Sequence, residues 1–214
     1  MIGYAFCGSF CTLSASLDAL SALTRSGHEV QAIMSDNVYG TSTRFFEASE
    51  LHRRVRELTG RPIIHTIKDA EPLGPKTPLS AMIIAPCTGN TLAKLANGIT
   101  DTPVTMAAKA HLRRDRPLLI ALASNDAMSQ NLANLAALLQ RRSVYFVPLC
   151  QDDPEGKPHS LVARFERIPE ALDAMMMRRQ LRPLSLRPHE LQHARPPCPS
   201  PTPGVHSDSR PSSQ

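Results

Sequence analysis

Two short stretches hold the side chains best suited to chemistry. Gly8-Ser9-Phe10-Cys11-Thr12 and Pro86-Cys87-Thr88-Gly89-Asn90-Thr91 each follow an apolar run and set hydroxyls and a glycine before a helix-forming segment. Backbone N–H groups at such a helix start, with hydroxyls beside them, favour a phosphate. In the second stretch Thr88, Asn90 and Thr91 add two hydroxyls and a carboxamide, which hydrogen-bond a phosphate or a heterocycle without adding charge. Helix capping by Thr88 or Asn90 explains the same residues equally well. The dinucleotide fingerprint G-x-G-x-x-G is absent, because Phe10 and Leu13 stand where its later glycines belong. Asp36, placed like the ribose-binding acid of that motif, therefore reads as a turn residue. No metal centre is expected: Cys7 and Cys11 have no second pair to complete a tetrahedral site. The run Met175-Met176-Met177 reads as packing.

These loops need elements to position them. Residues 2–7 read as a strand, and Leu13, Leu17, Leu20 and Leu23 as a helix stopped by Gly27. Strands are expected at 29–34, 62–67, 81–85, 118–122 and 144–147. Helices are expected at 45–59, closed by Gly60, and around 132–139 after Ser124-Asn125-Asp126, with a last amphipathic one at 167–184. Unbroken apolar strands, each followed by a helix, predict an α/β fold with a parallel sheet and helices on both faces, whose ligand sits beyond the carboxyl ends of the strands.

Composition narrows the classes. A chain of 214 residues with 42% hydrophobic residues has one core and no room for two catalytic domains. The folded domain is expected over residues 1–184, with 185–214 a disordered Pro- and Ser-rich tail. The net charge is +5, and Arg182, Arg187, Arg195 and Arg210 against Glu190 and Asp208 supply two of those charges. The mildly basic remainder argues against nucleic acid, which needs phosphate-neutralising cations gathered on one face. Five cysteines with no paired C-x-x-C framework predict reduced thiols in the cytoplasm. No signal peptide or membrane-spanning run is seen, so no membrane role is expected.

The stretch Pro86-Cys87-Thr88-Gly89-Asn90-Thr91-Leu92-Ala93-Lys94-Leu95-Ala96-Asn97-Gly98-Ile99-Thr100-Asp101 resembles the P-A-S-A-N-T…K-x-A-x-G-I-x-D motif of the flavoprotein family of homo-oligomeric flavin-containing cysteine decarboxylases. Gly8-Ser9 after the first strand matches that family as well. Its next motif, P-x-M-N-x-x-M-W, falls on residues 122–129 and keeps only Asn125 and Met128. That departure argues against peptidyl-cysteine and pantothenoyl-cysteine decarboxylation. Residues 71–76, 102–110 and 151–158, with Asn37-Val38 and Thr43-Arg44-Phe45, resemble the dipicolinate synthase B subunits within the family, and the resemblance runs from 1 to about 184.

The resemblance implies a Rossmann-like, FMN-binding, homo-oligomeric protein of endospore formation. It would work with the A subunit of dipicolinate synthase, the NAD(P)-binding partner, on a small dicarboxylate, converting dihydrodipicolinate to dipicolinate. It places Gly8, Ser9, Phe10, Thr88, Asn90 and Thr91 around the FMN phosphate and ribityl chain, and Ser35 and Ser124 beside the flavin. Asn125 is then the residue nearest the substrate. Arginine's planar fork suits a carboxylate, so Arg44 is the candidate clamp, with Lys109 second. The family's catalytic histidine has one candidate, His65, whose strand position fits a core role, and the role is not transferred. The rival readings are a non-catalytic partner that activates the A subunit, and an FMN-dependent decarboxylase or prenyltransferase.

Overall fold

The computed structural model describes residues 1–74 and 76–186. Five strands run parallel: β1 (Ile2–Phe6), β2 (Val30–Met34), β3 (Ala81–Cys87), β4 (Leu118–Ser124) and β5 (Val144–Phe146). Every residue in them is buried, so apart from Gln31 in β2 and Ser124 at the end of β4 they read as apolar runs and not as alternating ones. The order is β2-β1-β3-β4, with β5 beside the first half of β4. This is the expected α/β fold with one addition. Two short strands, β6 (Leu149–Cys150) and β7 (Leu161–Ala163), extend the sheet antiparallel, β7 pairing with Ala123 and Ser124 at the end of β4. Strands this short carry no readable period.

On one face α1 (Leu13–Arg25), which buries Leu13, Leu17, Leu20 and Leu23, packs against α8 (Ile168–Met176). On the other, α5 (Gly89–Asn97) touches both α6 (Pro103–Leu112) and α7 (Leu132–Leu139), and α6 lies across the sheet against β2, β3 and β4. The short α2 (Asp36–Gly40) follows β2 and meets α3 (Ala48–Thr59), and α4 (Ile67–Ala70) packs on α6. Gly98, at φ +72°, ends α5 in the left-handed conformation that glycine adopts at no steric cost.

Three boundaries differ from expectation for local reasons. The helix expected from residue 45 starts at Ala48, because Thr43 Oγ1 accepts the N–H groups of Phe45 and Phe46 while Ser42 Oγ accepts that of Ala48. Those hydroxyls offer the backbone an alternative to the helix. The strand expected at 62–67 shrinks to one bridge, Ile33 to Ile64, after which Thr66 caps α4 by accepting Asp69 N–H at 3.1 Å. The last helix ends at Met176 and not at 184, and Arg178, at φ +58°, turns the chain away. Leu184 and Leu186 then bond to Leu149 on β6 at 2.8 and 2.9 Å. The expected disordered tail lies, from residue 187 on, outside the described residues.

Candidate functional site

The chain order reverses across β1 and β3, which leaves a crevice beyond their carboxyl ends. Four loops meet that edge. After β1, Gly8 leads into a single 3-10 turn over Phe10–Thr12, and Thr12 Oγ1 donates to the Ser9 carbonyl at 2.9 Å. A Cβ on Gly8 would stand 3.6 Å from the Phe10 ring and 3.8 Å from Asn37 Cβ, so this loop lies against the start of α2. After β2 comes Ser35, which precedes α2 with no capping bond from its side chain. Its Oγ is buried without a hydrogen-bond partner. An orphaned hydroxyl costs about 1–3 kcal/mol, and that cost marks a place where a ligand atom would be welcome.

After β3, Thr88 caps α5: its Oγ1 accepts Thr91 N–H at 3.2 Å. Capping therefore accounts for Thr88. Asn90 caps nothing and is exposed. The N–H groups of Gly89 and Asn90 lie in the first turn of α5, where no intrahelical acceptor exists and the helix dipole favours an anion. Beneath them the thiols of Cys7 and Cys87 are buried. Burial, opposed in part by the Thr91 hydroxyl, pushes the Cys7 thiol up to about 11, and burial raises Cys87 as well, so both stay protonated and neither is a nucleophile.

After β4, Ser124 donates its hydroxyl proton to Asp126, and the other carboxylate oxygen accepts Asn131 Nδ2 at 2.8 Å. Asn134 continues the chain by donating to Asn131 at 3.0 Å and accepting from Asn97 of α5 at 3.2 Å. This network presses on Gly89, whose Cβ would fall 2.5 Å from Ser124 Oγ and 2.6 Å from Asn131 Nδ2. Only glycine fits there, and the contact docks the start of α5 on the β4 loop. Asn125 is left exposed beside it. Sequence reasoning missed Asp126 and Asn131; an acid and an amide five residues apart in a polar turn were the one visible signal.

The β6–β7 connection also reaches this edge, because Ser124 pairs with Leu161 and the antiparallel course carries residues 151–160 beyond Asn125. The loop is held at both ends: the buried Ser160 hydroxyl bonds Asp152 at 2.8 Å, and Met128 N–H donates to the His159 carbonyl at 3.0 Å. Lys157 and His159 are exposed on it.

The remaining candidates fall elsewhere. Arg44 is exposed between α2 and α3 with its guanidinium over the Phe45 ring at 4.8 Å, and no contact joins it to Ser35 or Asn125. Lys109 is removed from the site altogether: it lines a groove with Arg113 and Val144 at the opposite, amino edge of the sheet. His65 stacks on Tyr39 at 3.7 Å, with His52 on the other side of that ring at 4.2 Å, a packing role. Among the described residues no group of three His, Cys, Asp or Glu is placed to hold a metal, and no helix is long and apolar enough to cross a membrane.

Known proteins place this architecture. The B subunit of dipicolinate synthase from Bacillus subtilis (strain 168) is 43% identical over 183 residues, covering 86% of this chain and 92% of that one. The crystal structure of the dipicolinate synthase B subunit from Bacillus halodurans C superposes with a TM-score of 0.80 at 40% identity, over 86% of this chain and 95% of that one. The FMN-dependent cysteine decarboxylase SpaF shares the fold, with a TM-score of 0.61 at 20% identity, over 82% of this chain and 94% of its own. Residues 1–176 match the Flavoprotein family, and the chain belongs to it.

Proposed function

We propose that this chain is an FMN-binding B subunit that works with a nicotinamide-binding A subunit to convert dihydrodipicolinate to dipicolinate in the cytoplasm during spore formation, itself assembled as a homo-oligomer. The observation that carries the reading is the convergence of uncharged polar groups on the switch point, in a chain 43% identical to a dipicolinate synthase B subunit. The donor set fits FMN. The N–H groups of Gly89 and Asn90 at the start of α5, with those of Gly8 and Phe10, suit its phosphate, Ser9, Thr88, Asn90 and Thr91 its ribityl hydroxyls, and the unpartnered Ser35 Oγ a polar atom of the ring system. Ser124, whose proton is committed to Asp126, can only accept from a ring N–H.

When bound, the flavin supplies a two-electron acceptor. The chain's own contribution is orientation, because removing two hydrogens from a dihydropyridine restores aromaticity and requires mainly a planar dianion held in place and a base. Asn125 is next to the crevice, and on the neighbouring loop Lys157, which pairs with Asp152 at 3.4 Å, and His159 offer one cation and one imidazole to the substrate.

One feature favours the rival reading, an activating partner without chemistry of its own: the strand-end loops at 8–10, 35, 88–91 and 124–125 contain no Lys, Arg or His. Co-expression with an A subunit decides. Dipicolinate formation that requires this chain, and falls when Asn125→Leu replaces it, supports the catalytic reading. Full activity with Asn125→Leu supports the rival, and full activity of the partner without this chain defeats both.

A further inference from the structure

At the amino edge, the far side of the sheet from the candidate site, a groove of 470 Å³ runs between the ends of α5 and α6 and the turn before β5. Five cations line it: Lys94, Lys109, Arg113, Arg141 and Arg142. Part of this charge has an ordinary cause. Both α5 and α6 end at this edge, and a cation near a helix C-terminus complements its dipole, as Lys94 and Lys109 do in their last turns. Lys94 is further engaged with Asp101 at 2.9 Å, and Arg141 donates to the Leu95 carbonyl at 3.5 Å. Lys109, Arg113 and Arg142 have no acceptor among the described residues, and Asp115 is the one acid lining the groove. Lys109 and Arg113 are also four residues apart, a spacing at which like charges repel.

The floor between these cations is apolar. Leu95, Leu112 and Val144 line it, and Ile99 is 47% exposed. A solvated charged face has no use for an exposed isoleucine among its arginines. A bare inorganic anion would leave that floor wet, whereas a ligand with two or more negative charges on a planar or apolar body covers both. The volume lies in the range of small-molecule sites.

We infer that the amino-edge groove binds a small organic polyanion of the nucleoside-diphosphate class, with Arg113, Arg142 and Lys109 on its charged groups and Ile99 and Leu112 against its apolar body. The inference is independent of the FMN reading, since the sheet separates the two edges.

Calorimetric titration of the full chain with ADP, at about 0.15 M salt so that loose ion pairing is screened, tests it. One saturable site is expected, unchanged when FMN is present in excess. Affinity should fall at least tenfold in Arg113→Ser/Arg142→Ser, whose side chains are exposed, and in Ile99→Asp, which keeps the arginines and spoils the floor. Thermal unfolding of the variants should match the parent. No saturable binding, equal affinity in both variants, or displacement of ADP by FMN would overturn the inference.

Discussion

The two edges of the sheet present opposite solutions to holding an anion. At the carboxyl edge the helices begin, free N–H groups and the positive end of the dipole point outward, and residues 8–10, 35, 88–91 and 124–125 are uncharged. At the amino edge the helices end, their free carbonyls repel anions, and Lys94, Lys109, Arg113, Arg141 and Arg142 gather there. The polar groups differ in the same way. Asp126 uses both oxygens inside the protein and Ser124 and Asn131 are tied to it, so the carboxyl edge is pre-organised with one buried side-chain atom, Ser35 Oγ, left without a partner. The amino edge holds surplus charge on flexible side chains. Preformed neutral dipoles select shape, and mobile cations select charge.

The largest effect is expected where the carboxyl edge is most tightly packed. Gly89→Val places a branched side chain on the Ser124–Asp126–Asn131 network, and should destabilise the fold by about 1–3 kcal/mol in urea unfolding and abolish flavin binding. An unchanged midpoint would mean that the β4 loop yields. Next comes Asp126→Ala, which strips Ser124 and Asn131 of their shared acceptor and should cost about 1–2 kcal/mol, with weaker flavin affinity. The same substitution should leave ADP binding at the amino edge alone.

Much of this was legible beforehand. Buried parallel strands such as residues 81–85 need apolar side chains on both faces, and glycine stops at 27 and 60 mark helix ends, so sheet and site edge could be placed from composition and spacing. What escaped was decided by contacts between residues distant in sequence or by side chains competing for the backbone. Thr43 delays α3, a single bridge at Ile64 replaces a strand, and β7 finds Ser124 across 37 residues. Likewise, Lys109 in a helix next to the family motif looked available to the site, and only the course of α6 across the sheet carries it to the other edge.

A pH scan sharpens the contrast nearer the amino edge. His111 is 1% exposed, and its Nε2 bonds the Pro117 carbonyl at 2.9 Å while Nδ1 has no partner. Burial above all holds its pKa below the ordinary 6.5. The unfolded chain therefore takes up the proton first, so stability should be full above about pH 6.5 and fall as the pH drops below it. His52, also lowered mainly by burial, acts in the same direction. His111→Gln should flatten the slope in acid unfolding curves, and an unaltered slope would assign the loss to other groups. The smallest change is expected from a chain ended after Leu186, which keeps the bonds of Leu184 and Leu186 to Leu149: its melting temperature and flavin binding should match those of the full chain.

Titration of the flavin-free chain with FMN, followed by quenching of flavin fluorescence in the parent and in Ser35→Ala, tests the carboxyl edge most directly. The parent should bind one FMN per chain. Removing an unpartnered buried hydroxyl should leave the free protein as stable as before or slightly more so, yet weaken FMN by roughly three- to tenfold, about 0.6–1.4 kcal/mol, through the lost hydrogen bond. No FMN binding by the parent, or equal affinity in the two proteins, would contradict a flavin seated against Ser35.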